Sequence, residues 1–517
     1  MKEWLKDAVF YEIYPQTFKD SNADGIGDFQ GIIEKLDYVK DMGFNAIWVN
    51  PCFVSPFYDA GYDVEDFYHV APRYGTNEDL KQVFEEAHKR EIRVLLDLVP
   101  GHTAVTHKWL KESMKAEHNE FTDRYVWTDD LNTNREKIHN LSGFIAGFSE
   151  RMGALGVNYF TTQPALNYGF AKVTEPWQFA VDSEAAIATR DELINVMRFW
   201  LKMGCDGFRV DMASFLVKAD DENNSATVKL WNDIFKIINA EFPEAAYVAE
   251  WGVAKQAISS GFDMDFTLQN VNSPYNDLFK KKNAFFSANP EVDITKWFHS
   301  YMDNYTATKD RGLMCFFSGN HDVKRASLFL DEIRMRLMFA FILSMPGAPF
   351  IYNGDEIGMK YIQGLKSVEG AYLRSGSRTP MQWDDTVNSG FSAAKPDQLY
   401  IPMDPDPKRP TVKAQLADET SMLNEVKRLI KVRKETDAFR SDASFEPLYF
   451  TNGQPLVYIR KGTDKTVLVA INPSDSEKEC ACEYTAKEVI YSFGKTAACA
   501  NGRLNVPPLS AAYIIIK

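Results

Sequence analysis

Along the first two thirds of the chain, short apolar runs alternate with longer stretches in which apolar positions recur every three or four residues. The short runs are 9–15, 44–51, 92–99, 206–212, 245–251, 262–267, 313–320 and 348–354. Several are continuously apolar and read as parallel strands buried on both faces. The longer stretches include 29–43, 77–91, 188–203, 227–240 and 324–344, and these carry helical periodicity. In the first of them Phe29, Ile32, Ile33, Leu36 and Val39 form one stripe, which Gly43 ends. Eight strand-then-helix alternations predict an α/β fold of the (β/α)8, TIM-barrel type. A doubly wound sheet is the competing arrangement, but no Gly-rich phosphate loop follows the first strand.

Two segments break the rhythm. Residues 103–185 hold far more chain than one crossover helix needs, which predicts a small domain inserted after the third strand. Beyond about residue 440 the pattern changes to short alternating runs such as "PLVYIRKG" and "TVLVAINPS", the signature of an antiparallel β-sandwich. The expected organisation is therefore a barrel from 1–102 and 186–440, an inserted domain from 103–185 and a C-terminal sandwich from 441–517.

The loop "DSNADGIGDF" (20–29) between the first strand and the first long helix opens like a calcium loop. It is not an EF-hand. Loop position 12 is Gly31 rather than a bidentate Glu, and the preceding segment favours strand over helix. Spacing alone leaves a calcium site and a solvated Asx/Gly turn both open.

Composition narrows the function classes. The chain of 517 residues has a net charge of -14 and no long basic run, which argues against nucleic acid or an anionic membrane as partner. Its six cysteines are scattered, and Cys480 and Cys482 make a lone C-x-C with no second pair at zinc spacing, so free thiols in a reducing compartment are the default. The first residues run straight into a strand without a signal-peptide core. The expectation is a cytoplasmic protein if Met1 is the native start, and a secreted one if a leader was trimmed.

At the C-terminal ends of barrel strands, polar side chains line active sites. Here those ends carry Asp63, Asp97, His102, Arg209, Asp211, Glu250, His321 and Asp322. Charge on otherwise apolar strands is costly unless paired or used. Arg209 stands two residues before Asp211 and shares its strand face. The pair either braces the barrel or keeps Asp211 ionised for nucleophilic attack. Two carboxyl groups across one pocket suit glycoside hydrolysis. An apolar setting beside Trp251 would raise the Glu250 carboxyl, as a general acid needs.

The motifs resemble those of the α-amylase superfamily, glycoside hydrolase family 13. "GFRVDM" (207–212) is similar to its nucleophile motif, "VAEW" (248–251) to its acid–base strand and "FFSGNHD" (316–322) to the motif of its third carboxylate. "DLVPGHT" (97–103), "QPALN" (163–167) and "GYDVEDF" (61–67) resemble three further motifs. The resemblance implies Asp211 as nucleophile, Glu250 as acid–base and Asp322 as the third carboxylate. It also implies substrate binding by Tyr62, Asp63, His102, Arg209 and His321. The loop 20–28 resembles the calcium loop of the oligosaccharide-acting branch. Its ligands would be Asp20, Asn22, Asp24, the Ile26 carbonyl and Asp28, holding structural Ca²⁺, with Mg²⁺ as the alternative and no organic cofactor.

The sequence also departs from the family. Gly101 and Ala165 stand where Asn and Asp help many α-amylases bind a second calcium, so that site is not expected. The Lys–His pair of many endo-acting members is missing after Asp211. "SRTPMQWDDTVNSGFS" (377–392) resembles oligo-1,6-glucosidases, α-glucosidases and trehalose synthases. Arg325 falls where exo-acting members hold the terminal glucose. Met212, after the nucleophile, matches neither linkage preference. Tyr159 and Phe160 read as core aromatics ahead of sugar-stacking ones. The expected function is a retaining exo-acting α-glucosidase on short oligosaccharides, as monomer or homodimer. A transglucosylase or isomerase such as trehalose synthase, or an α-amylase on longer α-1,4-glucans, is the alternative.

Overall fold

The computed structural model describes residues 1–131, 138–147, 149–268, 273–370, 372–453 and 455–517. Eight parallel strands follow the eight apolar runs: β1 (Phe10–Ile13), β2 (Ala46–Val49), β3 (Arg93–Leu98), β4 (Gly207–Val210), β5 (Ala246–Ala249), β6 (Met264–Phe266), β7 (Leu313–Cys315) and β8 (Phe350–Tyr352). Their order is β7-β6-β5-β4-β3-β2-β1-β8, and a parallel bridge from Phe317 to Phe350 closes the cylinder.

Strand periodicity sorts the side chains into two cores. Phe10, Trp48, Leu95, Val248 and Phe350 fill the barrel, whereas Tyr11, Ile47, Leu96, Tyr247 and Ile351 belong to the larger core shared with the helices. At Gly207 (φ +143°) an added Cβ would stand 1.9 Å from the Ala246 carbonyl oxygen. The glycine of "GFRVDM" thus lets β4 lie tightly against β5.

The surrounding helices include α1 (Phe29–Asp41), α2 (Asn77–Lys89), α3 (Glu184–Met203), α4 (Ser225–Glu241), α5 (Ala254–Ser259), α6 (Thr295–Thr308) and α7 (Glu332–Ser344). Asp28 caps α1 by accepting the Gly31 N–H at 2.7 Å, and Phe29, Ile32, Leu36 and Val39 are its buried stripe. The expected helix 324–344 starts later, at Glu332. The Asp331 carboxylate caps it there at the Arg334 N–H (2.9 Å), and residues 326–328 form a separate tight turn.

Between β3 and β4 lie a short helix (Lys108–Ser113) and an antiparallel pair, Gly143–Ala146 with Ala154–Val157. After the barrel, a five-stranded and a three-stranded antiparallel sheet share a core of Val457, Leu468, Cys480, Leu504 and Ile514. No helix among the described residues is long and apolar enough to cross a membrane.

Candidate active site

Register builds the centre of the site. Asp97 on β3 is the direct partner of Arg209 on β4, and both side chains take the interior face. Arg209 Nη1 donates to Asp97 Oδ1 (2.8 Å) and Asp211 Oδ1 (2.9 Å), and Nη2 lies 2.9 Å from Glu250 Oε2. The ladder continues past both strands, with Asp211 N–H to the Leu98 carbonyl (2.9 Å) and Glu250 N–H to the Val210 carbonyl (3.0 Å). Both carboxylates are therefore fixed at the rim. Met212 follows at φ +42°, a left-handed conformation costing a non-glycine residue roughly 1–3 kcal/mol. In it, the Met212 N–H donates to Glu250 Oε2 at 3.0 Å.

Burial and the facing Glu250 carboxylate push the Asp211 carboxyl up, against the pull of Arg209. Burial also pushes Asp97 up to about 6, although Arg209, Trp48 and Tyr62 all bond it. The apolar setting expected for Glu250 is not what the fold provides. Its carboxylate meets a guanidinium and a backbone N–H, and Trp251 turns aside to bond Gln256 Oε1 at 2.9 Å.

His321 and Asp322 form the second half of the site. His321 Nδ1 lies 2.9 Å from Glu12 Oε1, and Nε2 lies 2.8 Å from the Tyr62 hydroxyl. Its ring stacks on Tyr62 at 5.4 Å. Burial lowers His321 to about 3, so it is neutral at ordinary pH. Asp322 Oδ1 accepts from Arg374 Nη1 and Arg378 Nη2, both at 2.8 Å. Burial would raise Asp322, but the Arg374, Arg378 and Arg209 guanidinium groups outweigh it and hold the carboxyl well below its usual range. Arg374 also pairs with Asp59, and Arg378 with Glu369 at 2.9 Å.

The structure thus brings Asp211, Glu250, Asp322, Arg209, Tyr62 and His321 together. It places three expected substrate contacts elsewhere. Asp63 folds back into its own loop, accepting from Ser55 Oγ (3.0 Å), Tyr58 N–H (2.8 Å) and Asp59 N–H (3.0 Å). His102 supports the site from behind, with Nε2 3.0 Å from the Tyr62 carbonyl oxygen. Arg325 is 1% exposed, bonded to Asp355 Oδ1 (2.7 Å) and the Asn353 carbonyl (3.0 Å), so it faces the protein interior and not the end of a sugar. Its apolar stem and the acid waiting on the β8 side draw it inward.

Asp59, Arg374, Arg378 and Glu369 were not singled out in the sequence. The available signal was weak: Arg378 lies inside the 377–392 stretch, Arg374 four residues earlier, and Asp59 just before the "GYD" of the motif. Tyr159 is not core. It is 54% exposed and packs edge-on to Phe160, which neighbours Tyr372.

Beside Gly101, where an added Cβ would meet Asn158 Nδ2 at 2.7 Å, the buried Lys218 ammonium donates to Asn158 Oδ1 (3.2 Å) and the Phe215 carbonyl (2.6 Å). A lysine of the chain itself therefore stands between barrel and insertion.

The loop 20–28 winds through successive Asx turns. Asp20 Oδ1 accepts from Asn22 N–H (3.0 Å), Asn22 Oδ1 from Asp24 N–H (2.9 Å) and Asp24 Oδ1 from Ile26 N–H (2.8 Å). Oxygen-bearing side chains at alternate positions are the spacing of a calcium ligand set, while Asp20 Oδ2 accepts the Gly25 N–H (2.8 Å) and Asp28 Oδ2 the Ser21 N–H (2.9 Å). Among the described residues no three His, Cys, Asp or Glu groups converge as a metal cage, so Asn22 and the Ile26 carbonyl would have to complete one.

Asp211 and Glu250 on one guanidinium, with Asp322 held ionised nearby at the rim of a TIM barrel, form a set of carboxyl groups suited to glycoside hydrolysis. Residues 12–442 match the α-amylase catalytic domain, and the chain belongs to the α-amylase family, glycoside hydrolase family 13. It is 31% identical to the trehalose synthase/amylase TreS of Mycobacterium tuberculosis strain H37Rv, covering 91% of this chain and 82% of that one. It is 32% identical to the oligo-1,6-glucosidase of Parageobacillus thermoglucosidasius, covering 84% of each. The trehalulose synthase MutB of Pseudomonas mesoacidophila MX-45 superimposes over the whole of both chains with a TM-score of 0.83 at 25% identity.

Proposed function

We propose that the protein is a retaining, exo-acting α-glucosidase of short oligosaccharides. The observation that carries this reading is the wall behind Asp322. Arg374 clasps Asp322 and Asp59 at once, and Arg378 clasps Asp322 and Glu369. A sugar chain entering past Glu250 ends at that wall, so the bond cleaved is the one next to its terminal ring.

In this mechanism Asp211 attacks the anomeric carbon while Glu250 protonates the departing oxygen. The leaving sugar is released, and Glu250 then takes a proton from the water that hydrolyses the glucosyl–Asp211 ester. Asp322, ionised and braced, accepts hydrogen bonds from ring hydroxyls. Arg209 offsets the charge of Asp211 once its ester is broken. Asp211 and Glu250 each lie 2.9 Å from the one Arg209 guanidinium, a closeness that favours retention over an inverting arrangement with room for water between the carboxyls. In the oxygen-lined loop 20–28 we place a structural Ca²⁺, or Mg²⁺, with no part in the chemistry.

A second reading, an isomerase or transglucosylase, is favoured by the similarity to trehalose synthases over 91% of the chain. It uses the same carboxylates and differs in whether water or a second sugar reaches the intermediate.

Proton NMR time courses with maltose, isomaltose, sucrose, trehalose and soluble starch, each alone, separate these. The expected result is free glucose from a disaccharide, appearing first as the α-anomer, and none with Asp211→Asn. Conversion of maltose into another disaccharide with little glucose supports the isomerase. Cleavage of starch alone refutes the exo reading.

A further inference from the structure

Glu12 is the one acid of β1, and it lies inside the barrel. It stands two residues after Phe10 on the interior face, in register with Trp48 on β2 and Tyr352 on β8. Its side chain is fully buried. Oε1 lies 2.9 Å from His321 Nδ1, and Oε2 has no hydrogen-bond partner. Among the described residues no Lys or Arg forms an ion pair with it. A carboxylate in that position would be a buried charge with one oxygen unbonded, a costly arrangement.

The bonds around His321 decide which ring nitrogen carries the proton of the neutral imidazole. Tyr62 has one hydroxyl proton, and it donates this to Asp97 Oδ2 at 3.1 Å. The 2.8 Å contact between the Tyr62 hydroxyl and His321 Nε2 must then be made with the ring's proton. Nε2 also faces Asp322 Oδ2, an acceptor, at 3.3 Å. On the other side of the ring, Asn50 Nδ2 lies 3.1 Å from Nδ1 and brings a donor. Both sides therefore leave Nδ1 with a lone pair. A Glu12 oxygen 2.9 Å from a lone pair repels it unless that oxygen carries a hydrogen. The charged groups that face Glu12 agree: burial pushes its carboxyl well up, Arg209 pulls the other way and Asp322 adds to the push. Lys280 also faces it, but burial lowers that ammonium to about 7 and its nitrogen has no hydrogen-bond partner.

We propose that Glu12 is a positioning residue that stays protonated and donates to His321 Nδ1, so that the ring presents its one N–H, at Nε2, to Tyr62 and Asp322. Glu12 touches neither of the reacting carboxyls and acts through the ring. Its O–H fixes the back edge of His321, and the front edge then steadies the carboxylate that receives the sugar's hydroxyls.

The test reads the ring directly and then the rate. In the full chain labelled with ¹⁵N-histidine, the His321 signals are assigned by their loss in His321→Gln. They are expected to show hydrogen on Nε2 only, unchanged from pH 8 to pH 5. Hydrogen on Nδ1, or on both nitrogens, overturns the proposal, because Glu12 would then be the acceptor. Glu12→Gln keeps a donor of the same shape, so its kcat/KM on a disaccharide and its pH profile are expected to stay within about threefold of wild type. Glu12→Met removes the donor and is expected to lower kcat/KM about tenfold, the loss of one well-placed hydrogen bond. Gln as damaging as Met would mean that a negative charge is needed at this position, and Met as active as wild type would mean that the contact positions nothing. Either overturns the proposal. If Glu12→Met does not fold, the ring signals and Glu12→Gln decide. The kinetic arm rests on the glucosidase reading, whereas the ring's proton is read without substrate, so the two fail separately.

Discussion

One guanidinium, that of Arg209, holds both Asp211 and Glu250, at 2.9 Å from each. A lysine has one ammonium and no planar fork, so it cannot reproduce both bonds along with that to Asp97. Arg209→Lys is expected to lower kcat by about a hundredfold to a thousandfold, in the range of losing a preorganised electrostatic contact, with little change in KM. Steady-state kinetics beside circular dichroism checks this. Activity within threefold of wild type would mean that the carboxylates are positioned without the bridge.

Arg374 joins Asp59 and Asp322, bringing together the chain that follows β2, β7 and β8. Removing one member leaves the others charged and partly buried. Asp59→Asn and Arg374→Gln are each expected to lower kcat/KM on a disaccharide by about a hundredfold or more, taking the usual cost of breaking such a pair. The loss should be smaller on a long α-glucan, which no longer has to end at the wall. Equal losses on both substrates would remove the exo-selecting role.

These pairs show what the sequence could and could not disclose. Several barrel strands were legible because a strand buried on two faces writes a continuous apolar run. Asp211, Glu250 and Asp322 were legible because each ends such a run. Asp59 and Arg374 were not, since their meaning lies in a contact between residues 315 positions apart. Asp63 and Asp59 share one loop, and pattern alone does not say which acid turns inward to bond the loop's own N–H groups. Arg325 shows the converse: its position beside "NHD" suggested a ligand contact, but the acid that claims it, Asp355, comes from the chain after β8.

Arg325 therefore has a structural prediction. Its partners Asp355 and the Asn353 carbonyl are buried, and its guanidinium lies 4.5 Å from the Tyr352 ring centroid. Arg325→Ala leaves Asp355 uncompensated and is expected to cost roughly 3–5 kcal/mol of stability. Chemical denaturation should show the loss, and the variant that remains folded should keep the wild-type KM. A raised KM at unchanged stability would restore the substrate-binding role.

The loop 20–28 is tested by its ion. Protein stripped with a chelator should melt lower than protein with Ca²⁺, by about 2.7 kcal/mol of stability at a hundredfold excess over the dissociation constant. Asp24→Ala, on an exposed turn, should abolish the difference and leave kcat at moderate temperature unchanged. Identical melts with chelator, Ca²⁺ and Mg²⁺ would assign the loop to its Asx turns alone.

Lys218 carries the clearest pH signature. Burial lowers its ammonium to about 7, while in the unfolded chain it keeps the ordinary lysine value near 10.5. Between those values the unfolded chain binds a proton that the folded chain does not. Stability from this group therefore rises with pH across that window, by at most about 1.4 kcal/mol per pH unit. Lys218→Met removes the contribution, so the stability difference between variant and wild type should shift in favour of wild type from pH 7 to pH 9. Lys280, also lowered to about 7 by burial, is present in both proteins and cancels. Urea denaturation at both pH values measures the shift. A difference that stays flat would mean that Lys218 keeps its proton, held by Asn158 and the Phe215 carbonyl as a fixed cation between barrel and insertion.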